Sequence, residues 1–277
     1  MTAAPFLDKI VLIAGASSGI GRAVSLRLAD QGASVALAAR RADRLENLAE
    51  ECRQRGGQAV SIPTDVAIET HCQALVDRTL QEFGRLDMLV FSAGIGVGSQ
   101  FSELPNLDLF QQVVQVNFYG AVYCSYYALP PIKAAQGRLV FISSLGGKLA
   151  IPYNTPYCAS KYGLHGFADS LRMELAEDGV SVTVICPYWV VTEFHEHFMT
   201  KNGQPLGPEG RNIYTSKMMT ADRCAEIVLD AANRQKREVL LGPGRLGVWM
   251  KLIAPNLTDR LIIRPFMHSA IRRTRHN

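Results

Sequence analysis

The strongest constraint on the fold is an alternation along the chain. Short apolar runs rich in β-branched residues alternate with longer segments of helical periodicity. This alternation is typical of strands and helices that build a parallel sheet covered on both faces. The sequence therefore predicts a single-domain, doubly wound α/β fold of the Rossmann type over residues 1–244, with a parallel sheet of about seven strands.

The predicted elements follow each other without an internal linker. The strands are Ile10 to Ala14, Ser34 to Ala39, Ala59 to Ile62, Met88 to Ser92, Arg138 to Ser143, Ser181 to Cys186 and Val239 to Leu241. The helices are Ile20 to Asp30, Asp43 to Arg55, Glu69 to Phe83, Asp108 to Ala134 with breaks allowed for, Pro156 to Glu177 and Ala221 to Arg234. Sheets of this kind bind ligands beyond the carboxyl ends of their strands.

Composition excludes several classes of protein. Hydrophobic residues make up 48% of the chain and charged residues 19%, which is neither a disordered nor a membrane-spanning composition. Six scattered cysteines without a CxxC pair indicate reduced thiols and a cytoplasmic location, with neither disulfides nor structural zinc. The paired His195 and His197 lack a third ligand at suitable spacing, so no metal is expected.

Two segments depart from the alternation. Residues 193–220 are rich in Gly, Pro and bulky apolar side chains, and predict a lid over the substrate. Residues 245–277 are predicted to be a helical, amphipathic C-terminal extension; they hold seven basic residues and one acidic, a charge of +6 that leaves −2 for the rest. No nucleic-acid motif accompanies this charge. The extension is read as a partner contact, a weak peripheral membrane contact, or a cover for the substrate entrance. The alternative to a binding role is that its basic face is simply solvated and its apolar side is buried against the rest of the protein.

A glycine-rich loop follows the first predicted strand. Its sequence, AGASSGIG from Ala14 to Gly21, leads directly into the first predicted helix. Glycines here let the backbone approach a pyrophosphate, whose charge then lies at the positive end of the helix. A purely structural turn is the alternative. The residues assigned to a dinucleotide are Gly15, Ser17, Ser18, Gly19, Ile20 and Gly21.

The residues after the second strand indicate which dinucleotide is bound. An acidic residue there would hold the adenosine ribose, but the chain reads AARR from Ala38 to Arg41. A guanidinium of Arg40, with Arg41 beside it, can pair with a 2′-phosphate, which favours NADP(H) over NAD(H). The alternative is that both arginines are solvated at a helix cap.

The stretch TPYCASK places the phenol of Tyr157 four residues before the ammonium of Lys161. On a helix both project from one face, and a neighbouring cation lowers the pKa of a phenol. The hydroxyl of Ser144, in ISSLGG, can orient a carbonyl while Tyr157 transfers the proton. Asn117 interrupts an apolar helix, either as a satisfied core amide or as a group that holds a water in a proton path.

In this order and spacing, the motifs resemble those of the short-chain dehydrogenase/reductase family. The resemblance covers Leu7 to Leu241 and implies hydride exchange between a nicotinamide and a carbonyl or alcohol carbon. It implies that the tyrosine is the acid/base, that the lysine lowers its pKa and holds the ribose, and that the asparagine anchors a water relay. Further cofactor contacts are implied at Asp65, Val66, Ser92, Ala93, Gly94, Tyr157, Lys161, Pro187, Val190 and Thr192.

Two positions depart from the family pattern: Ser92, where relatives carry Asn, and Tyr188, where they often carry Gly. The helices Asp108 to Ala134 and Pro156 to Glu177 resemble those through which relatives form homodimers or homotetramers. A sensor that binds NADPH without turnover is the alternative function, but it has no need of all four catalytic positions.

An apolar and aromatic wall is predicted for the substrate pocket, which suits a lipophilic ketone, aldehyde, steroid or retinoid. This wall consists of Leu145, Leu149, Tyr153, Tyr188 and Trp189 together with the Phe- and Met-rich lid, and Ser144 is a further substrate contact. The alternative is that most of these side chains belong to the core.

Overall fold

Seven parallel strands form the central sheet of the computed structural model, which describes residues 4–213, 215, 218–242 and 244–263. The strand order is β3-β2-β1-β4-β5-β6-β9. The strands are β1 (Ile10–Ala14), β2 (Ser34–Ala39), β3 (Gln58–Pro63), β4 (Met88–Phe91), β5 (Arg138–Ile142), β6 (Ser181–Cys186) and β9 (Glu238–Leu240). Two short strands, β7 (Val190–Val191) and β8 (Met219–Thr220), pair with each other apart from this sheet.

Helices cover both faces of the sheet because alternate strand residues point to opposite sides. Val11 and Ile13 of β1 pack with α1, α2 and α7, whereas Leu12 and Ala14 pack with α3, α5 and α6. The helices are α1 (Gly19–Ala29), α2 (Ala42–Gln54), α3 (Glu69–Phe83), α4 (Asp108–Val114), α5 (Gly120–Ala134), α6 (Thr155–Glu174), α7 (Ala221–Asn233), α8 (Gly244–Ile253) and α9 (255–263).

The predicted fold class is confirmed, and the seven expected strands lie within one residue of their predicted ends. The long helix from Asp108 is broken, as allowed for, by a π-helical turn at Gln115–Tyr119. The pair β7–β8 was not predicted; it joins the two ends of the lid segment, which otherwise holds short 3-10 turns. The division of the chain at residue 244 stays a prediction.

The described part of the chain holds no helix that is both long and apolar enough to cross a membrane. All six cysteines are buried free thiols.

The residue before β5, Gly137, provides a test of the packing, because β5 runs into the loop that carries Ser144. A Cβ on Gly137 would lie 2.3 Å from the carbonyl oxygen of Asp87. Gly137→Ala should therefore lower the free energy of unfolding by about 1–3 kcal/mol, measured by urea denaturation.

The control is Gly166→Ala on an open face of α6, where an added Cβ would lie more than 4 Å from every atom outside its own stretch of helix. That variant should be as stable as the wild type, or more stable by up to about 1 kcal/mol, because alanine favours helix. Equal stability of both variants would contradict the close contact at Gly137.

Candidate active site

Four loops come together at the carboxyl edge of the sheet. The register pairs Ala14 of β1 with Phe91 of β4, and Phe91 with Phe141 of β5. The loops that follow these three strands therefore begin at the same height along the sheet. They are the glycine loop, the loop after β4 and the loop that carries Ser144. The loop after β6 joins them, because the carbonyl of Pro187 accepts a hydrogen bond from Leu145 at 3.0 Å.

Tyr157 and Lys161 lie on the first two turns of α6, on the same side, as predicted. Pro156 at the start of this helix suits the first turn, where its missing N–H costs nothing. The ammonium of Lys161 is 97% buried and donates to the carbonyl oxygen of Ile142 at 3.0 Å. Its Nζ lies 5.8 Å from the centroid of the Tyr157 ring.

Burial controls the protonation of both groups. It raises the pKa of Tyr157 to about 12, although a hydrogen bond with Ser144 opposes this shift. Burial also lowers the pKa of Lys161 to about 8. The expectation that Lys161 lowers the pKa of Tyr157 is thus not met by the protein alone, because desolvation of the phenol is the larger effect.

Ser144 is positioned by its own loop. It begins the 3-10 turn Leu145–Gly147, and its Oγ accepts a hydrogen bond from the Gly146 amide at 3.0 Å. The Tyr157 ring lies beside this loop, because a Cβ on Gly146 would be 3.4 Å from Ser144 Oγ and 3.3 Å from Tyr157 Cε1. The serine and the tyrosine are therefore neighbours, close to the buried ammonium of Lys161.

Asn117 connects the loop after β4 to α6. Its Oδ1 accepts from the Ile95 amide at 2.8 Å, and its Nδ2 donates to the Ile95 carbonyl at 2.9 Å and to Ser160 Oγ at 3.0 Å. Ser160 in turn donates to the carbonyl of Tyr157 at 2.7 Å. These contacts describe a fully buried, satisfied amide; the water relay stays a prediction. Sequence reasoning missed Ser160, whose signal was a hydroxyl three residues after Tyr157 on a buried face.

The glycine loop has the geometry expected for a phosphate. Gly15 has φ +89°, and a Cβ there would lie 2.5 Å from the Ala93 amide nitrogen; a Cβ on Gly21 would lie 2.2 Å from the Gly15 carbonyl. Within the described ranges, no side chain caps the start of α1, and its first turn holds no acidic residue. The free N–H groups and the helix dipole favour an anion here, so these residues suit the pyrophosphate of a dinucleotide.

The two arginines after β2 differ in position. Arg41 Nη2 donates to Ser17 Oγ of the glycine loop at 3.1 Å. Arg40 is exposed, and no hydrogen bond or ion pair joins it to another described residue. The structure therefore places Arg41 beside the loop, although the sequence argument rested first on Arg40.

The remaining predicted cofactor residues are dispersed along the same edge. Asp65 accepts from the Ala67 amide at 3.0 Å and shapes the turn after β3, next to the buried Val66. The Ser92 amide donates to the Ala14 carbonyl at 2.8 Å. Gly94 faces both Asn117 and Lys161. After β6, Thr192 contacts Gly19 of the glycine loop, while Val190 is buried in β7.

The predicted substrate residues are only partly brought together. Leu145 and Leu149 lie in and after the Ser144 loop and contact Gly244 and Gly247 of α8. Tyr188 is half exposed and lies against Gly242 and Trp189. Tyr153 has φ +66°, and its carbonyl accepts from the Ser99 amide at 2.9 Å.

Phe194 belongs to the predicted lid over the substrate, but its contact with Tyr157 was not predicted. Its ring centroid is 5.7 Å from that of Tyr157 and 5.7 Å from that of Phe198. This contact joins two segments far apart in the chain, so no local sequence pattern indicates it.

Comparison with known proteins agrees with this arrangement. A family model described as short chain dehydrogenase matches residues 9–203. The chain belongs to the short chain dehydrogenase family. Among similar proteins, 11-beta-hydroxysteroid dehydrogenase-like 2 of Arabidopsis thaliana is 32% identical over 92% of this chain and 80% of its own. The dehydrogenase/reductase SDR family protein 7-like of Dictyostelium discoideum is 29% identical over 97% of this chain and 84% of its own.

Solved structures give the same result for the fold of this short chain dehydrogenase. An alcohol dehydrogenase from the archaeon Thermococcus sibiricus, complexed with 5-hydroxy-NADP, has TM-score 0.73 and 27% identity, covering 84% of this chain and 95% of that one. A short chain dehydrogenase/reductase from Burkholderia phymatum in complex with NAD has TM-score 0.81 at 24% identity, covering 91% and 96%, which shows the fold alone. The chain is thus an oxidoreductase that acts on CH–OH and C=O groups with a nicotinamide cofactor.

A buried histidine lies one turn beyond Lys161 in this dehydrogenase. His165 Nε2 is 3.5 Å from Cys186 Sγ, and Nδ1 is 3.5 Å from Glu238 Oε2, which also pairs with Lys148 at 2.6 Å. The two neighbours of the imidazole thus lie on opposite edges of its ring. Burial, with Lys148 adding to it, lowers the pKa of His165 to about 4.

This shift predicts sensitivity to acid. Between about pH 6.5 and pH 4 the unfolded chain takes up a proton at His165 that the folded chain does not, so stability falls as pH falls, by about 3 kcal/mol. His165→Asn should flatten this part of the profile in urea denaturation from pH 7 to 4. His71→Asn, at an exposed position on α3, should keep the wild-type slope. An unchanged slope in His165→Asn would contradict the assignment.

Proposed function

We propose that this short chain dehydrogenase is an NADP(H)-dependent reductase of a lipophilic ketone or aldehyde. The observation that carries the proposal is the grouping of Ser144 and Tyr157, which both lie against Gly146, beside the buried Lys161. This pair lies at the same sheet edge as a glycine loop suited to a dinucleotide phosphate. Such an arrangement can bind a carbonyl oxygen and give it a proton.

Each side chain has a defined part in this chemistry. NADPH, which the glycine loop and Arg41 would hold, would supply the hydride for the carbonyl carbon. Ser144 donates a hydrogen bond to the carbonyl oxygen, and Tyr157 gives its phenolic proton to that oxygen as negative charge develops. Because its pKa is about 12, Tyr157 keeps its proton at neutral pH until then. The ammonium of Lys161 stabilises the phenolate that results, and Asn117 holds α6 and the loop after β4 in place.

Reduction is the direction that this protonation state supports. A protonated tyrosine is the form required for reduction, whereas oxidation of an alcohol requires the phenolate. NADP pools in cells are also usually kept reduced.

The cofactor and substrate proposals have separate support. The guanidinium of Arg41 beside Ser17 supports recognition of a 2′-phosphate. The similar alcohol dehydrogenase from Thermococcus sibiricus is complexed with an NADP derivative. Relatives named as 11-beta-hydroxysteroid dehydrogenases support a substrate of steroid-like size and polarity. The aromatic lid residues Phe194 and Phe198 near Tyr157 suit such an apolar compound.

Replacement of the proton donor tests enzymatic turnover against the sensor alternative. Tyr157→Phe should lower kcat by about 10²- to 10⁴-fold, because the hydroxyl is lost, while NADPH binding is retained. The measurement is NADPH oxidation over a panel of aldehydes and ketones of graded size and polarity. Tyr126→Phe, at an exposed tyrosine on α5, is the matched control.

Full activity in Tyr157→Phe would refute the assigned acid. Absence of turnover on the whole panel, with NADPH bound tightly by the wild type, would favour the sensor.

Cofactor preference distinguishes the two arginines. Arg41→Asp should shift the ratio of Kd values toward NADH by about tenfold or more, because a charge-assisted pair is replaced by repulsion. Arg40→Asp carries the same charge change at a more exposed position and should shift the ratio less. A larger shift in Arg40→Asp would move the phosphate contact to that residue.

We also propose weak contact of the C-terminal extension with an anionic membrane surface by a cytoplasmic enzyme. Part of the apolar surface of the extension is exposed within the described chain: Leu246, Trp249, Leu252 and Ile253 are 65–83% exposed, although Val248 packs against the core. Exposed Leu, Ile and Trp with flanking basic residues are typical of helices that lie at a lipid interface. Assembly into a homodimer or homotetramer is proposed through α4 to α6, where Tyr126 and Met173 are exposed.

Liposome co-sedimentation tests the membrane contact. Trp249→Glu with Leu252→Glu should weaken binding to vesicles that contain anionic lipid, because charge replaces inserted apolar surface. Leu107→Glu, at another exposed leucine, should bind like the wild type. Equal binding by all variants, or by a chain without residues 245–277, would refute the contact.

A further inference from the structure

An ion pair crosses the cofactor edge from α2 to the lid. Glu193 Oε2 lies 2.6 Å from Arg44 Nη1 and 3.6 Å from Arg41 Nη1. Arg41 is the residue that also donates to Ser17 of the glycine loop. The carboxylate of Glu193, in the lid, is therefore paired with the guanidinium groups nearest to the glycine loop.

This carboxylate is held in a way that allows it to leave. The side chain of Glu193 is 37% exposed, and the side chains of Arg41 and Arg44 are 34% and 42% exposed. Exposed ion pairs contribute little net stability, because water solvates the separated charges. Another anion can therefore replace the carboxylate without leaving a buried charge unpaired.

The same residue begins a segment that reaches the catalytic tyrosine. Glu193 opens the 3-10 turn Glu193–His195, and Thr192 Oγ1 accepts from the Phe194 amide at 3.3 Å. The Glu193 carbonyl accepts from the amides of Glu196 and His197, both at 3.1 Å. This short hydrogen-bonded unit carries Phe194 against the ring of Tyr157. A displacement of Glu193 is thus transmitted to the aromatic contact one residue away.

We propose that Glu193 competes with the 2′-phosphate of NADP(H) for Arg41 and Arg44, and that its displacement moves Phe194 off Tyr157. The inference rests on the proposed preference for NADP(H). Carboxylate and phosphate bind a guanidinium in the same bidentate manner, and their like charges disfavour both at one fork. NADPH releases the lid, whereas NADH, which has no such phosphate, leaves the ion pair intact. Glu193 is then a specificity-determining residue that makes access to Tyr157 depend on the cofactor.

The first test is the affinity of Glu193→Gln, measured by calorimetry for NADPH, NADH and adenosine 2′,5′-bisphosphate. Loss of the competing carboxylate should tighten NADPH and the bisphosphate by about two- to fivefold, the range of an exposed ion pair, and leave NADH unchanged. The matched control is Glu196→Gln, a lid carboxylate paired with Arg211 instead. It should leave all three affinities at the wild-type values.

The second test follows the lid itself. In Phe194→Trp, the bisphosphate should change the tryptophan fluorescence, whereas 5′-AMP, which lacks the 2′-phosphate, should not. Combining this substitution with Glu193→Gln should remove most of the change, because the lid is no longer tied to the arginines.

The outcomes separate this inference from the proposed function. If Arg41→Gln weakens NADPH selectively but Glu193→Gln alters nothing, or alters NADPH and NADH equally, the competition is refuted and the NADP(H) preference stands. If the wild type binds NADPH no more tightly than NADH and Arg41→Gln changes neither, both are refuted. An equal fluorescence response to the bisphosphate and 5′-AMP refutes the release of the lid by phosphate.

Discussion

The site depends on the level at which the parallel strands end. The ladder that pairs Ala14 with Phe91 and Phe91 with Phe141 is made of backbone hydrogen bonds, and a slip of one residue would turn every side chain of a strand to the other face. Apolar packing on both faces fixes this register. Loops distant in sequence therefore lie at one edge of the sheet: the glycine loop, the loop that carries Ser144, and the loop after β4, whose backbone is held by Asn117. Helix α6 adds Tyr157 and Lys161 at the same edge.

Burial gives this edge its electrostatic character. The pKa of Tyr157 rises and that of Lys161 falls, so desolvation moves both groups toward their neutral forms. The site thus holds a phenol that keeps its proton and an ammonium that releases one comparatively easily. A negative oxygen on the substrate is the charge that this pair is prepared to stabilise. A bound dinucleotide, which brings its own charges, would change this balance between the two groups.

Much of the fold and of the candidate site could be predicted because the signals were local. Strands buried on both faces read as continuous apolar runs, and Tyr157 and Lys161 needed only helical spacing. Other features depend on tertiary contacts. The π-turn at Asn117, the contact of Phe194 with Tyr157 and the choice of Arg41 over Arg40 as the neighbour of Ser17 each require the distant partner. Burial of Tyr157, which raises its pKa in the protein alone, also cannot be read from a four-residue spacing; the lowering by Lys161 together with the nicotinamide stays a prediction.

The docking of α8 links the C-terminal extension to the loop that carries Ser144. Lys251 contacts the hydroxyl of Tyr162 on α6 and donates to the Lys148 carbonyl at 3.3 Å, and Tyr162 donates to that same carbonyl. Gly244 and Gly247 bring this helix onto Leu145 and Leu149 beside Ser144. A partner or surface that moves α8 therefore also moves the side chains next to Ser144.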